Sequence, residues 1–486
     1  MNQILVALFC ICVGLYARRL VHSLYFCTLK NVPGPFLARV TRLGKLFITA
    51  TGCDHEWYVR LHEQYGPVVR VAPNHFSFNR WEDIDTIYNG NLEKSEFYDA
   101  FGDPRCPNPW SVRDNRQHEI RKRGFAHMYS MSSTKNHEKA VDRNVELLKD
   151  KLAEYARTGS LCSIPYLLKF CVFDMMSSIT FGKDFEALEG LDDETGVIGL
   201  IESAFWCSAL LGTLPRLCRG LVWAGRWLGL KPPILCLLKR VLHLRPGRSA
   251  AGELSDSFLR RLFILLDEDG TNRQVIEDCC FSNIAIGIGK MSIALSAAIY
   301  HIYQRPEVLR KLRQELDNMT DVGTLPNSAR FEEVLDLPYL QAVIQETLRV
   351  HPAIGTMLPR IVPRGGLKIA EYVFPEGTVV GVNPWAANRN AEDYGEDVDE
   401  FCPERWLKEG NFQPGSLFSF GAGSRVCIGN NICQMVMSIL IAELVREFDI
   451  DLSSDIAFPN TKTGWFSWID FEGFVQRRNK ARSDFI

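Results

Sequence analysis

The chain has 486 residues, 46% of them hydrophobic, and a formal net charge of −3. Length alone allows about three domains, yet no Gly/Ser-rich or Pro-rich linker and no repeat divides the chain, so one large domain with a sizeable core is expected. The near-balanced charge gives no electrostatic ground for nucleic acid. Fifteen cysteines scattered without a C-x-x-C point to neither a disulfide framework nor a zinc site, and reduced thiols on the cytosolic side fit them best.

Residues Ile4 to Tyr16 are almost wholly apolar, Arg18 and Arg19 interrupt, and a second apolar patch runs from Leu20 to Leu29. The first run is short for a span of about 20 residues. Its positive charges follow the apolar core and no A-x-A site comes after, which argues against a cleaved secretory signal. That charge placement predicts an uncleaved anchor over 1–29, with residues 30–486 on the cytosolic side. Val32-Pro33-Gly34-Pro35 stiffens the exit. From Tyr65, alternation at Val69 and Val71, a break at Pro73-Asn74 and resumption at Phe76 and Phe78 predict a β-hairpin. Phe97 to Gln117, rich in Pro, Asn and charge, has no usable period and is expected to be a loop over a ligand pocket.

His118 to Phe125 packs Arg121, Lys122 and Arg123 onto a predicted helix, which is either a solvated basic face or an anion site. Between Glu202 and Glu253 there is no acid, while basic residues such as Arg216, Arg219 and Arg226 interleave with Trp206, Trp223, Trp227 and many leucines. Such interleaving suits a surface that dips into anionic lipid; a purely structural helix pair is the other reading. Phe281 to Tyr303 is apolar nearly all round and predicts a buried helix. Pro306 and Pro338 open two more helices. On the second, Glu346 and Arg349 lie three apart and can pair, which in isolation reads as a surface ion pair. Gly464 to Trp468 is an aromatic segment whose rings are either core or the edge of a pocket.

The stretch Phe418 to Gly429 reads FSFGAGSRVCIG and precedes a long apolar helix predicted from Asn431 to Phe448. Cys427 would sit before a helix N-terminus, where unpaired N–H groups and the dipole favour a thiolate. Gly421 and Gly423 let the loop turn, Gly429 leaves room for a flat ligand, and Arg425 can meet an acidic group on that ligand. A lone cysteine in an apolar setting is otherwise an inert core residue.

Phe420, Gly423, Arg425, Cys427 and Gly429 stand in the order F-x-x-G-x-R-x-C-x-G, which resembles the haem-binding loop of the cytochrome P450 superfamily. The E-T-L-R segment around Glu346 and Arg349, followed by Cys402 to Trp406, resembles that family's E-x-x-R and P-E-R-F elements. The resemblance implies a mainly α fold with small β-sheets, haem b held between the long distal helix and the Cys427 loop, and Cys427 as the axial thiolate on iron. It places Trp81 to Tyr88 as a helix after the hairpin and Glu346, Arg349 and Arg405 in a buried charged triad. His118 and Lys122 fall where the family has a W-x-x-x-R pair for the haem propionates, and Arg360 reaches a propionate. Ile286, Ile354, Met357, Leu358 and Phe466, the last on a hairpin tip, would border the substrate.

The family's distal motif [AG]-G-x-[DE]-T aligns on Ile286 to Lys290, so the acid is Gly289 and the alcohol is Lys290 at the two catalytic positions. Burial would lower the Lys290 pKa from about 10.4, making the amine a proton donor or an iron ligand; the alternatives are that it bends to water or pairs with substrate. The implied function is a monooxygenase of fungal secondary metabolism acting on an apolar small molecule such as a terpenoid, polyketide or alkaloid. Dioxygen and electrons from NADPH–cytochrome P450 reductase would drive it, at the endoplasmic reticulum membrane. The Gly289/Lys290 pair leaves two rivals: a non-oxygenating or peroxide-dependent haem-thiolate enzyme (isomerase or dehydratase), and a catalytically silent haem-binding protein.

Overall fold

Two apolar helices run through the centre of the computed structural model, which describes residues 28–90, 92–102, 108–229, 257–269, 273–321, 329–407, 417–452 and 460–479, besides isolated positions 14, 18, 236 and 240. One is Ile164–Phe181. The Ser163 hydroxyl accepts from the Tyr166 amide at 3.4 Å to start it, Pro165 sits in its first turn, and Gly182 at φ 75° ends it. The other, the central helix, is Ile288–Tyr303, preceded by a π-helical turn over Ser282–Gly287 and an α-helix over Arg273–Phe281. The apolar run thus forms the predicted buried helix, but with a wide turn in it. Ser292 and Ser296 donate back to the carbonyls of Ile288 (2.8 Å) and Ser292 (2.7 Å), so their hydroxyls cost nothing inside the core. Ile164–Phe181 and Ile276–Tyr303 are long and apolar enough to cross a membrane, yet most of each is buried inside the protein.

The proximal helix, Asn430–Glu447, packs its Val436, Leu440 and Leu444 into the same core. Pro306–Asp321 and Pro338–Val350 pack beside it, each with its proline in the first turn, where a missing N–H is harmless. The fold is mainly helical with small sheets. The largest sheet has four strands in the order Val68–Ala72, His75–Phe78, Val379–Val382, Leu358–Ile361; the first pair is the predicted hairpin, antiparallel with Val68 opposite Phe78. The helix after it spans Trp81–Tyr88. A three-stranded sheet joins Leu161–Ser163, Glu472–Arg477 and Phe448–Leu452, and Asn460–Thr463 pairs with Ser467–Asp470 around the turn that carries Trp465 and Phe466.

Residues 1–27 lie almost wholly outside the described residues, and with them most of the predicted anchor. Leu29, the last residue of that predicted segment, is buried in a core with Val32, Val68 and Phe76, and its carbonyl accepts from Arg70 Nη2. The stretch expected to be a loop is also more ordered than its sequence indicates. Glu96–Phe101 is a 3-10 helix capped by the Ser95 hydroxyl, and the basic helix starts at Asn115, capped by Asp114, rather than at His118.

Candidate active site between the central helix and the Cys427 loop

The loop before the proximal helix is closed on itself. The Cys427 amide donates to the Phe420 carbonyl at 2.9 Å, and Gly421 (φ 73°) and Gly423 (φ 68°) take left-handed conformations. A Cβ at Gly423 would collide with the Tyr88 carbonyl, so only glycine fits there. The helix begins at Asn430, with Gly429 as its cap, which leaves Cys427 three residues before the first turn.

A cavity with about 1400 Å³ of empty space, partly continuous with solvent, lies between this loop and the central helix. Among the described residues, the cysteines that line it are Cys427 and Cys433. Burial pushes the Cys433 thiol up to about 12, with the neighbouring Cys427 adding to the shift. It therefore stays neutral, whereas Cys427 is the cysteine of the loop that enters the proximal helix. The apolar wall includes Ile286, Met291, Ile354, Leu358 and Trp465.

The polar wall is one-sided. Lys94, Lys122, Lys290, Arg360 and Arg425, together with His118, line the cavity, and among the described residues no aspartate or glutamate does. Arg425 donates to the carbonyls of Val112 (3.0 Å), Arg113 (3.0 Å) and Asp114 (3.2 Å) and to Asn115 Oδ1 (2.8 Å), fastening the Cys427 loop to the start of the basic helix. Burial and the nearby Arg360 lower it to about 10. Arg360 is buried over the Tyr88 ring, 4.7 Å from its centroid, and reaches Tyr98 Oη at 3.4 Å. Lys94 is buried with its ammonium 4.3 Å from the Tyr98 ring centroid and donates to the Trp110 carbonyl. Burial holds its pKa well below the usual lysine value, and Arg360, Arg425 and Lys290 press it further. His118 is brought down to about 3 by burial and by the charges of Arg425, Lys94 and Lys122. Lys122 lies 3.5 Å from the Ser424 carbonyl.

The triad residues meet. Glu346 receives Arg349 Nε and Nη2 at 2.8 Å each and Arg405 Nε at 3.4 Å, all three buried. Glu346 also accepts from the Cys402 amide (2.8 Å) and Trp406 Nε1 (2.9 Å). Arg349 donates to the Asn388 carbonyl at 3.0 Å, and the Asn388 side chain joins Ser419 Oγ (2.8 Å) and the Phe418 amide (3.2 Å), linking this network to the Cys427 loop. The pair that reads as a surface ion pair in isolation is in fact fully enclosed.

Four expectations are corrected. Met357 does not face the cavity: it packs with Tyr58, Leu61 and Val71. Phe466 does not line it either; Trp465 does, and Phe466 lies on Gly289, where a Cβ would be 2.5 Å from Cε2 and 2.6 Å from Cζ. Gly289 is thereby covered and does not line the cavity, whereas Lys290 does. Nor is Lys290 enclosed: it is half-buried on the cavity wall. Trp206 of the acid-free segment covers Gly52 and Gly464 rather than facing lipid. Lys94, Tyr98, Trp110, Asn283 and Trp465 also line the cavity; the segments of the last four were expected at the pocket or in the buried helix, but nothing in the sequence singles out these side chains, and Lys94 lies outside those segments.

A mainly helical fold with a cysteine-bearing loop facing a long helix across an acid-free, cationic cavity is the architecture of a haem-thiolate oxidoreductase. The family model described as cytochrome P450 matches residues 253–478. A pisatin demethylase of Fusarium vanettenii is 36% identical over 472 residues, covering 94% of this chain and 92% of its own. A cytochrome P450 monooxygenase of Emericella nidulans is 32% identical over 504 residues, covering 99% and 97%. The chain belongs to the cytochrome P450 family and is a monooxygenase of the fungal type.

Membership implies haem b with an axial cysteine, and the residues fit it. Haem is a flat apolar ring with two carboxylates. The cavity offers apolar walls and cations without competing acids. At Gly421 and Gly429 a Cβ would meet nothing within 4 Å, so the loop presents bare backbone to a flat group. Among the described residues no cluster of three or more His, Cys, Asp or Glu side chains offers a rival metal site.

Proposed function

We propose that this enzyme oxidises an apolar small molecule of fungal secondary metabolism, with electrons from NADPH–cytochrome P450 reductase and its body, residues 30–486, forming one catalytic domain at the cytosolic face of the endoplasmic reticulum. Haem, when bound, supplies the activation of dioxygen. Cys427 holds the iron as a thiolate, favoured by its place before the proximal helix. Arg360, Arg425, Lys122 and His118 hold the propionates, with Phe420, Gly423 and Gly429 shaping the loop against the ring. Ile286, Ile354, Leu358 and Trp465 exclude water and orient the substrate. Membrane association is supported by exposed Leu217, Leu221, Trp223 and Trp227 on the helix Pro215–Trp227 and by exposed Phe36, Leu37, Leu43 and Phe47 near the start of the body.

The single observation that carries the reading is Cys427 on the wall of an acid-free, cationic cavity. The test is Cys427→Ala in the full chain: loss of the thiolate signature in the reduced carbon monoxide spectrum is expected, and its survival refutes the assignment. A second reading, a peroxide-dependent or non-oxygenating haem-thiolate enzyme, is favoured by the covered Gly289, which leaves the wall without the family's acid. Substrate-dependent NADPH consumption with label from dioxygen in the product separates the two; a silent haem protein gives neither.

A further inference from the structure

Among the described residues Lys290 is the one cation that the central helix brings to the cavity, and its ammonium makes no hydrogen bond, ion pair or ring contact with any of them. Every other cation on that wall has neutral partners: Arg425 has four oxygens of residues 112–115, Arg360 has Tyr98 and the Tyr88 ring, and Lys94 has the Trp110 carbonyl and two rings. With the haem reading above, Arg360, Arg425, Lys122 and His118 face the two propionates. Lys290 lies one helical turn from Ile286 and next to Met291, among the apolar residues that would touch substrate. Its neighbour Gly289 is blocked by Phe466, so no side chain at that position can neutralise it. An ammonium on a partly desolvated wall is stabilised when an anion meets it there.

We infer that the substrate carries a carboxylate on an otherwise apolar body, and that Lys290 is the residue that pairs with it. This rests on the cavity being the haem and substrate site, and deepens that reading: the apolar walls hold the body while Lys290 fixes which end points along the central helix. Lys290 is then a positioning residue, and the exchange of an alcohol for an amine at this position sets specificity. Lysine is suited to the role, since its long apolar stem lies along the wall while the charged end reaches the ligand.

The test uses the haem-loaded full chain and matched pairs of alkyl, aryl and terpenoid monocarboxylic acids with their methyl esters, by titration calorimetry. At least one acid is expected to bind about 10-fold or more tightly than its ester. Lys290→Met should bring that pair within about twofold, and Lys290→Arg should keep the acid preference. A panel in which no acid outbinds its ester, including one in which nothing binds, overturns the inference, as does a preference that survives Lys290→Met. Carbon monoxide spectra of the same preparations separate the failures. A missing thiolate band removes the haem assignment itself, whereas an intact band without acid preference removes only the role of Lys290.

Discussion

The Phe466 ring lies so close to Gly289 that the two positions share one volume: a Cβ at 289 would be 2.5 Å from Cε2 of the ring. Phe466 is held there by Phe205, 4.6 Å away between centroids, and by Trp468 at 5.7 Å. An aspartate at 289 therefore overpacks the core. We predict that Gly289→Asp destabilises by about 1–3 kcal/mol and that Phe466→Ala in the same chain returns much of it. Urea midpoints of the single and double variants test the coupling, and simple additivity would show that the two sites are independent.

Glu346 and its two arginines make the next prediction. Removing one buried partner strands charge, so Arg349→Ala should cost about 3–5 kcal/mol and, through Asn388 and Ser419, loosen the Cys427 loop. The exposed Arg60–Glu56 pair, at 2.9 Å in a helix, is the control: Arg60→Ala should cost under about 1 kcal/mol. Denaturation midpoints and retained haem are the measurements. Equal effects at the two sites would contradict the assignment.

Acid should act through buried histidines. His62, bonded to Gly66 and Ser77, and His351, bonded to Ser467, are each lowered to about 4 by burial, from 6.5. Their folded values lie below their unfolded ones, so the stability they contribute is full above pH 6.5 and is lost as pH falls toward 4. Each adds a slope of about 1.4 kcal/mol per pH unit in that window. Burial raises Asp54, which acts in the opposite sense, so the readout is a difference: His62→Asn should flatten the pH dependence of the urea midpoint between 6.5 and 4.5. An unchanged slope would mean that His62 is protonated in the folded protein.

The exposed aromatics offer a prediction on lipid. A chain lacking residues 1–27 should still sediment with anionic vesicles, and Trp223→Ser with Trp227→Ser should release most of it, because each tryptophan removes a large interfacial contact. Deleting through Leu29 should instead lower stability, since Leu29 belongs to the core. Equal behaviour of the two deletions would argue against that placement.

Legibility in the sequence followed periodicity and spacing. Val69, Val71, Phe76 and Phe78 alternate, and the hairpin formed where they placed it; spacing showed only that Glu346 and Arg349 can pair, while the triad with Arg405, which meets in space, was implied by the family resemblance. Which of two neighbours faces the site was not legible. Leu358 lines the cavity while Met357, just before its strand, packs with Tyr58, Leu61 and Val71, and in the turn between Thr463 and Ser467 Trp465 lines the cavity while Phe466 lies on Gly289. Lys94, Tyr98 and Trp110 converge only through tertiary packing. The Lys290 exchange was visible, but the reason Gly289 carries no side chain lay 177 positions away in Phe466.

The wide turn at Ser282–Gly287 amounts to one residue more than a regular helix needs over the same rise. Removing one residue there would restore a continuous α-helix and leave its two flanks in nearly the same angular phase, because the turn spends its extra residue over the same rise. Lys290 and Met291 would keep their places, and the change would fall on Ser282, Asn283 and Ile286, which line the cavity from the turn itself. A single-codon deletion at this turn thus redraws one stretch of the wall and leaves the rest of the helix in register.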